Sequence, residues 1–349
     1  MKFQSTFGDS KRLSFREALL QGQAPDRGLY WPVEVPVLSS SKRSSLVGAS
    51  YAEVAEACLW PFVGEDLSLE TLRKICVEAY NFEVPLESIG REHTILRLDR
   101  GPTASFKDFA ARAMARWMSA FVQEQGDHLW ILTATSGDTG SAIAQAFLGV
   151  PGIDVVVLFP ASEVSTRQRK LMTTLGENIH AFAVDAKFDD CQAFVKRAFV
   201  DPALSGLSLS SANSINIGRL LPQSVYYMYT WLRLTEGQGE IDVVIPCGNF
   251  GNLMGAWIAK QMGAKFRRIV AAVNANDTFP RFLGSGRYQK IQPSKDCLSN
   301  AMNVGHPSNL VRLVSVYGGV LDADGVLHQT PDMASMRRDL WSLAVSDAE

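Results

Sequence analysis

Apolar and polar positions follow two different periods along this chain, and the change between them falls near residue 90. Before it, apolar residues recur at intervals of three and four. Tyr51 to Phe62 and Leu69 to Tyr80 carry that spacing, which predicts two amphipathic helices. Ser14-Phe15-Arg16-Glu17 has the form of a capping box, with Ser14 as the cap and Glu17 three residues on, and predicts a further helix start. A loop rich in glycine and proline, residues 23–32, follows it. The segment 1–90 is expected to be a small, mainly helical domain.

Beyond residue 90, short apolar runs alternate with amphipathic stretches. Strands are predicted over His128–Thr133, Asp154–Phe159, Ile179–Val184, Ile241–Pro246 and Arg268–Val273. Helices are predicted over Ser141–Leu148, Thr166–Thr174, Asp189–Phe199 and Leu253–Met262. Such alternation argues for the α/β class, with parallel strands layered against helices. In sheets of that kind ligands bind beyond the carboxyl ends of the strands, so the loops after the strands are where chemistry is expected. No internal repeat and no low-complexity tract interrupts the pattern.

Composition narrows the function classes. The chain has 349 residues, 46% of them hydrophobic and 20% charged, with a net charge of −2. That suits an ordinary globular chain of about two domains. There is no broad basic footprint for nucleic acid, and no apolar run approaches the ~18 residues of a membrane span. The opening MKFQSTFGDSKRLSF lacks the apolar centre of a secretory signal, so none is expected. Cys58, Cys76, Cys191, Cys247 and Cys297 are scattered and form no CxxC pair. Neither a disulfide framework nor a thiolate zinc site is expected, and a cytoplasmic location fits. The five histidines show no HxxxH or HxH spacing, so no metal site is expected.

Three stretches could carry chemistry. Gly248-Asn249-Phe250-Gly251-Asn252 joins the run 241–247 to a predicted helix. Its glycines let backbone N–H groups converge on an anion at a helix start. It is neither GxGxxG nor a loop with a P-loop lysine, so a single phosphate monoester suits it better than a dinucleotide or a triphosphate. The plain alternative is a tight strand-to-helix turn. Thr133 to Gly140 offers two glycines and four hydroxyls in eight residues, a composition for a carboxylate or phosphate; the plain alternative is a helix cap at Asp138 or Thr139. In Gly101 to Phe109, Lys107 lies between Phe106 and Phe109. An apolar setting favours the neutral amine, as Schiff-base chemistry requires; the plain alternative is a solvent-facing helix lysine. Together the three match what an enzyme needs to hold pyridoxal phosphate and an amino acid.

Eight stretches carry a resemblance: APDRGLYWP (24–32), GPTASFKDFA (101–110), TATSGDTGSA (133–142), QRKLMTTLG (168–176), FDDCQA (188–193), NSINIGRLLPQ (213–223), PCGNFGN (246–252) and NDTFPRF (276–282). The chain resembles the threonine synthase family, pyridoxal-phosphate enzymes of the tryptophan-synthase-like fold type II group, in its longer, yeast-like branch. The resemblance implies a two-lobed parallel-sheet catalytic domain over 91–349, behind the helical domain 1–90. Its small lobe would run roughly 128–235, and its cofactor lobe roughly 91–127 with 236–349. Lys107 matches the lysine that binds the cofactor as a Schiff base. Gly248, Asn249, Phe250, Gly251 and Asn252 match the cofactor-phosphate loop. Ser136, Gly137, Asp138 and Thr139 match the loop that takes the substrate carboxylate beside the cofactor ring. Asp138 stands where relatives in the wider fold group often carry Asn. Ser214, Asn216 and Arg219 match a stretch expected to help hold the substrate phosphate, a role that suits a guanidinium fork.

The implied reaction turns O-phospho-L-homoserine and water into L-threonine and phosphate, a lyase step of threonine biosynthesis, with Lys107 as general base. Two other readings stay open at this point. One is a phospho-lyase that yields a 2-oxo acid and ammonia. The other is a cofactor-free binding relative, against which Lys107 and both loops argue. A small-molecule substrate is expected, with no nucleic acid and no membrane, and the monomer is preferred. Plain roles are expected for other notable residues. Asp189-Asp190 should favour a helix start, Cys247 should be packing, and Arg167, Arg169 and Lys170 should form a solvated helix face. Ser346 and Glu349 form a second capping-box signal with no helix after it. The resemblance likewise implies a chain ending before the family does. That predicts exposed apolar surface, weakened cofactor binding and low activity, and no residue of 300–349 is assigned to the cofactor's pyridine nitrogen.

Overall fold

The computed structural model describes residues 1–8, 11–135, 137–162, 164–199 and 201–349, with the side chains of Asp189 and Lys196 outside that description. The chain is α/β and sorts into two compact units. One holds residues 19–22 and 67–219, and the other holds 1–18, 23–66 and 220–349. The segment 1–90 is therefore shared between both units, and the later boundary falls at 219–220.

The first unit is built on a four-stranded parallel sheet. Strand β1 (Leu129–Ala134) lies between β2 (Ile153–Pro160) and β4 (Ser208–Ser211), and β3 (Ile179–Val184) flanks β2. Ile131 sits opposite Val155 on one side and Ser210 on the other. The two-residue period is plain in β1, where Leu129 and Ile131 are buried and Trp130 and Leu132 are partly so. Helix α1 (Lys107–Gln125) packs on α2 (Asp138–Phe147), which in turn packs on β2 and on α3 (Thr166–Thr173). Helix α4 (Phe188–Ala198) sets Cys191 and Val195 against Leu132 and Leu158. Of these helices, α1 is the one the hydrophobic pattern did not mark. Its buried stripe of Phe109, Met114, Trp117, Met118 and Phe121 ends at Gly126, whose φ of 68° is the left-handed stop that glycine tolerates.

The second unit has a three-stranded parallel sheet, in which β6 (Phe266–Val273) lies between β5 (Ile241–Pro246) and β7 (Leu340–Ala344). Strand β7 was not predicted; it places Leu340 opposite Ile269, while Arg268 lies over the Trp341 ring at 4.1 Å. Helix α5 (Gln223–Thr235) packs on α6 (Gly251–Gln261) and on the helix Tyr51–Val63, with Tyr51 edge-on to Tyr229 at 5.2 Å. Those contacts put 220–235 in this unit rather than with the strands before it. Arg312 is fully buried; its Nε and Nη2 donate to the Tyr30 carbonyl at 3.1 and 2.9 Å, and its Nη1 donates to Asn309 Oδ1. Burial lowers its pKa to about 9.

The strands and helices expected beyond residue 90 are all present, each end within three residues. The Ser14–Glu17 box forms, with Ser14 N donating to Glu17 at 2.7 Å and Glu17 N to Ser14 Oγ at 3.2 Å. Asp190 accepts from Lys187 N at the start of α4, as expected of a helix-start acid, while the Asp189 side chain lies outside the described residues. Ser346 N donates to Glu349 at 2.8 Å in a turn.

Candidate active site

Lys107 is the first residue of α1, and the turn before it is shaped around Asp108. Asp108 is buried and accepts from Thr103 N at 2.8 Å and Thr103 Oγ1 at 2.6 Å. Burial pushes its carboxyl upward, against these hydrogen bonds. A Cβ on Gly101 would stand 2.5 Å from Asp108 Oδ2, so only glycine lets the turn close on the carboxylate. Ala104 in the same turn has φ 57°, a left-handed conformation that costs a non-glycine residue on the order of 1 kcal/mol.

The Lys107 side chain is 18% exposed, so it is not a solvent-facing helix lysine. Its Nζ lies 3.4 Å from Asp138 Oδ2 and 5.3 Å from the centre of the Phe106 ring. Burial lowers its pKa; Asp138 opposes that shift and Arg219 adds to it. For Asp138, burial works upward, but the lysine charge and the hydrogen bond from Gln168 outweigh it and hold the carboxyl below its ordinary value.

The loop before α2 is held by a residue the sequence reading did not select. Thr135 is buried, and its Oγ1 accepts from Gly137 N at 2.9 Å and Gly140 N at 2.8 Å. This hydroxyl caps α2 from three residues ahead of its first residue. Neither Asp138 nor Thr139 is the cap, and the helix starts three residues earlier than expected. Gly137 has φ 144°, and a Cβ there would stand 2.4 Å from Gln168 Nε2. Gln168 Nε2 donates to Asp138 Oδ1 at 2.8 Å. With two amides of the first turn committed to Thr135, those of Asp138 and Thr139 are the ones placed to meet an anion. Ser136 lies outside the described residues.

Arg219 belongs to the same unit; it is buried, and its Nη1 donates to the Ala212 carbonyl at 2.6 Å. Asn216 is spent differently. Its Nδ2 donates to Leu19 O and Ser211 O, both at 2.9 Å, and its Oδ1 accepts from Gly218 N at 2.9 Å. A carboxamide so engaged braces the loop, with both of its N–H groups spent on backbone carbonyls. Ser214 is half-buried on the same segment. Arg167, Arg169 and Lys170 are exposed, as a solvated face should be.

In the second unit, the glycine turn follows β5. Phe250 takes φ 62° at the N-cap of α6 and provides no side-chain cap. The side chains of the turn are directed into protein contacts. Asn249 Oδ1 accepts from Ser308 N, Phe250 meets Phe279 edge-on at 4.7 Å, and Asn252 Oδ1 accepts from Tyr227 Oη at 2.7 Å. The glycines keep the backbone of the turn open to close approach by a ligand. A Cβ on Gly248 would lie 3.0 Å from Met302 Cα, and one on Gly251 would lie 3.3 Å from Gln223 Nε2 and 3.5 Å from Asn309 Nδ2. Arg312 fixes that Asn309 side chain. Cys247 is buried and its thiol is pushed upward, which is the packing role expected. An eleven-residue helix whose N-cap residue supplies no side-chain cap, behind two cramped glycines, fits a phosphate group, and a largely enclosed lysine of lowered proton affinity fits an aldehyde. Each is a requirement of pyridoxal phosphate.

A family model described as pyridoxal-phosphate dependent enzyme matches residues 78–344, and one described as threonine synthase N terminus matches residues 2–80. The threonine synthase of Serratia marcescens is 40% identical over 319 residues, which cover 91% of this chain and 74% of that protein. The crystal structure of pyridoxal-phosphate-bound threonine synthase from Brucella melitensis superposes with a TM-score of 0.92 at 35% identity, covering 99% of this chain and 78% of that one. The yeast threonine synthase structure gives 0.90 at 28% identity, covering all of this chain and 77% of that one. Chemistry and likeness lead to one assignment: the chain belongs to the threonine synthase family of pyridoxal-phosphate-dependent enzymes.

Proposed function

We propose that Lys107 carries pyridoxal 5′-phosphate, and that Gly248, Asn249, Phe250, Gly251 and Asn252 hold its phosphate through backbone N–H groups. Gly137, Asp138 and Thr139, with Ser136 by family resemblance, receive the substrate carboxylate. Ser214 and Arg219 receive the substrate phosphate. The reaction is the family's lyase step, from O-phospho-L-homoserine and water to L-threonine and phosphate. The observation that carries this reading is the placement of Lys107: a largely enclosed amine at a helix start, 3.4 Å from one carboxylate oxygen.

When bound, the cofactor supplies an aldehyde for a primary amine and an electron sink for the bond broken at the α-carbon. The rest falls to side chains. Burial keeps the Lys107 amine a nucleophile by disfavouring its ammonium form. Once the substrate's amine has replaced it, the same Nζ is a tethered base, able to take up a proton and return it. Asp138 holds the counter-charge whenever Nζ is protonated. Arg219 brings a planar guanidinium suited to a phosphate monoester. All five cysteines are free, which supports a reducing, cytoplasmic location. The separate family match to residues 2–80 supports reading the first 90 residues as a distinct segment of the sequence, one whose residues divide between the two compact units.

The test is a visible absorbance scan of the purified protein, followed by O-phospho-L-homoserine. A yellow protein that releases threonine and phosphate is expected. A 2-oxo acid with ammonia would assign the phospho-lyase reading instead, and a colourless protein that binds no added pyridoxal phosphate would overturn the role of Lys107.

A further inference from the structure

Gln168 occupies the third position of α3, and at both ends its side chain does more than a surface glutamine does. Its backbone N–H donates to Ser165 Oγ at 3.3 Å. Its Oε1 accepts from Ser165 N at 3.1 Å and from Ser165 Oγ at 2.9 Å. A backbone amide only donates, so the atom facing Ser165 N is the oxygen, and the orientation of the carboxamide is fixed. The nitrogen is thereby directed at Asp138 Oδ1, 2.8 Å away, while Asp138 Oδ2 faces Lys107 Nζ. Gly137 makes room for this, since a Cβ there would stand 2.4 Å from Nε2 and 2.5 Å from Cδ.

We propose that Gln168 is a positioning residue: its carboxamide keeps the Asp138 carboxylate ionised and turned toward Lys107. The inference rests on the reading of Lys107 as the cofactor-bearing lysine. A capping box needs only the Ser165 end of the side chain, so the far end contacting the carboxylate that pairs with that lysine is left unexplained by capping alone. A donor on a carboxylate favours the charged form. Among the described residues, the other groups that act on this pair are few. Helix α1 contributes Lys107 and Asp108, the segment at 219 contributes Arg219, α2 contributes Asp138 itself, and the charged residues of α3 beside Gln168 are exposed. Gln168 is the neutral member that sets the geometry of the pair.

Gln168→Glu separates positioning from capping. Glutamate is the usual partner in a capping box, so the helix start is kept, but a donor facing Asp138 becomes a second carboxylate. The Asp138 carboxyl is followed by carbon-13 NMR of holoenzyme labelled at aspartate, and its resonance is identified by its loss in Asp138→Asn. In Gln168→Glu the melting temperature should stay near wild type while the Asp138 midpoint moves up by about one pH unit, as expected for a like charge in contact. Turnover should fall at least tenfold with little change in KM, and the acid limb of the kcat profile should move in the same direction. Gln168→Met, which removes the donor and adds no charge, should shift the midpoint the same way by less. Unshifted Asp138 titration in both variants overturns the proposal and leaves Gln168 a cap. The underlying reading fails by a different sign, retention of the yellow absorbance in Lys107→Ala.

Discussion

Replacing Gly137 by alanine tests the packing on which the first half-site depends. Two costs are legible. The backbone at φ 144° is a region open only to glycine, worth on the order of 1–3 kcal/mol for another residue. The new Cβ would also stand 2.4 Å from Gln168 Nε2, so the carboxamide must withdraw by about 1 Å to reach ordinary contact. That breaks its 2.8 Å bond to Asp138. A hydrogen bond to a charged group is worth about 1.5–3 kcal/mol, and the lower figure applies because Asp138 is 35% exposed and water can replace the lost partner. The total is about 2.5–4.5 kcal/mol, of which about 1.5 kcal/mol is carried by the side-chain contact. Urea unfolding of wild type, Gly137→Ala, Gln168→Ala and the double variant measures this. In the Gln168→Ala background the obstacle is gone, so Gly137→Ala should cost only its backbone strain and the cycle should show a coupling of about 1.5 kcal/mol. Additivity within about 0.5 kcal/mol would refute the steric argument, and a Gly137→Ala protein as stable as wild type would refute both terms.

Other outcomes follow from single contacts. Lys107→Ala should lose both the yellow absorbance and turnover; wild-type turnover with ordinary saturation would show that another residue carries the cofactor. At Gly251 the walls lie at 3.3 and 3.5 Å, so Gly251→Ala should be tolerated, whereas Gly251→Val should weaken cofactor binding by well over ~1.4 kcal/mol, or tenfold, in a fluorescence titration. Arg219→Ala should raise the substrate KM and leave cofactor content intact. Because the Arg219 charge holds the Lys107 pKa down, the same variant should raise that pKa, so the ammonium form persists to higher pH, and normal KM would place the phosphate site elsewhere.

Much of this molecule was legible in the residues alone. Hydrophobic period predicted strands over 128–133, 154–159, 179–184, 241–246 and 268–273, each end within two residues of the strand observed, because each is a short apolar run bounded by turn residues. The motifs selected Lys107 and the two glycine loops because the chemistry of pyridoxal phosphate restricts which residue types can serve. Helix α1 escaped notice because its apolar stripe is broken by Asp108, Arg112 and Arg116, and strand β7 because its five residues form a strand only through pairing with β6.

What the tertiary structure alone decided was the use made of each side chain. Thr135 is one hydroxyl among four in the sequence but holds two amides in the fold, and Asn216 is one polar side chain of its stretch but braces three backbone groups. Gln168 sat in a motif with a readable Ser-x-x-Gln cap, yet nothing in that spacing shows that its far end meets Asp138 thirty residues earlier in the chain. The reason is physical. Period and residue type are local properties, fixed by backbone geometry over a few positions, whereas the partner of a hydrogen bond and the proton affinity of a buried amine depend on groups that folding brings together from distant parts of the chain.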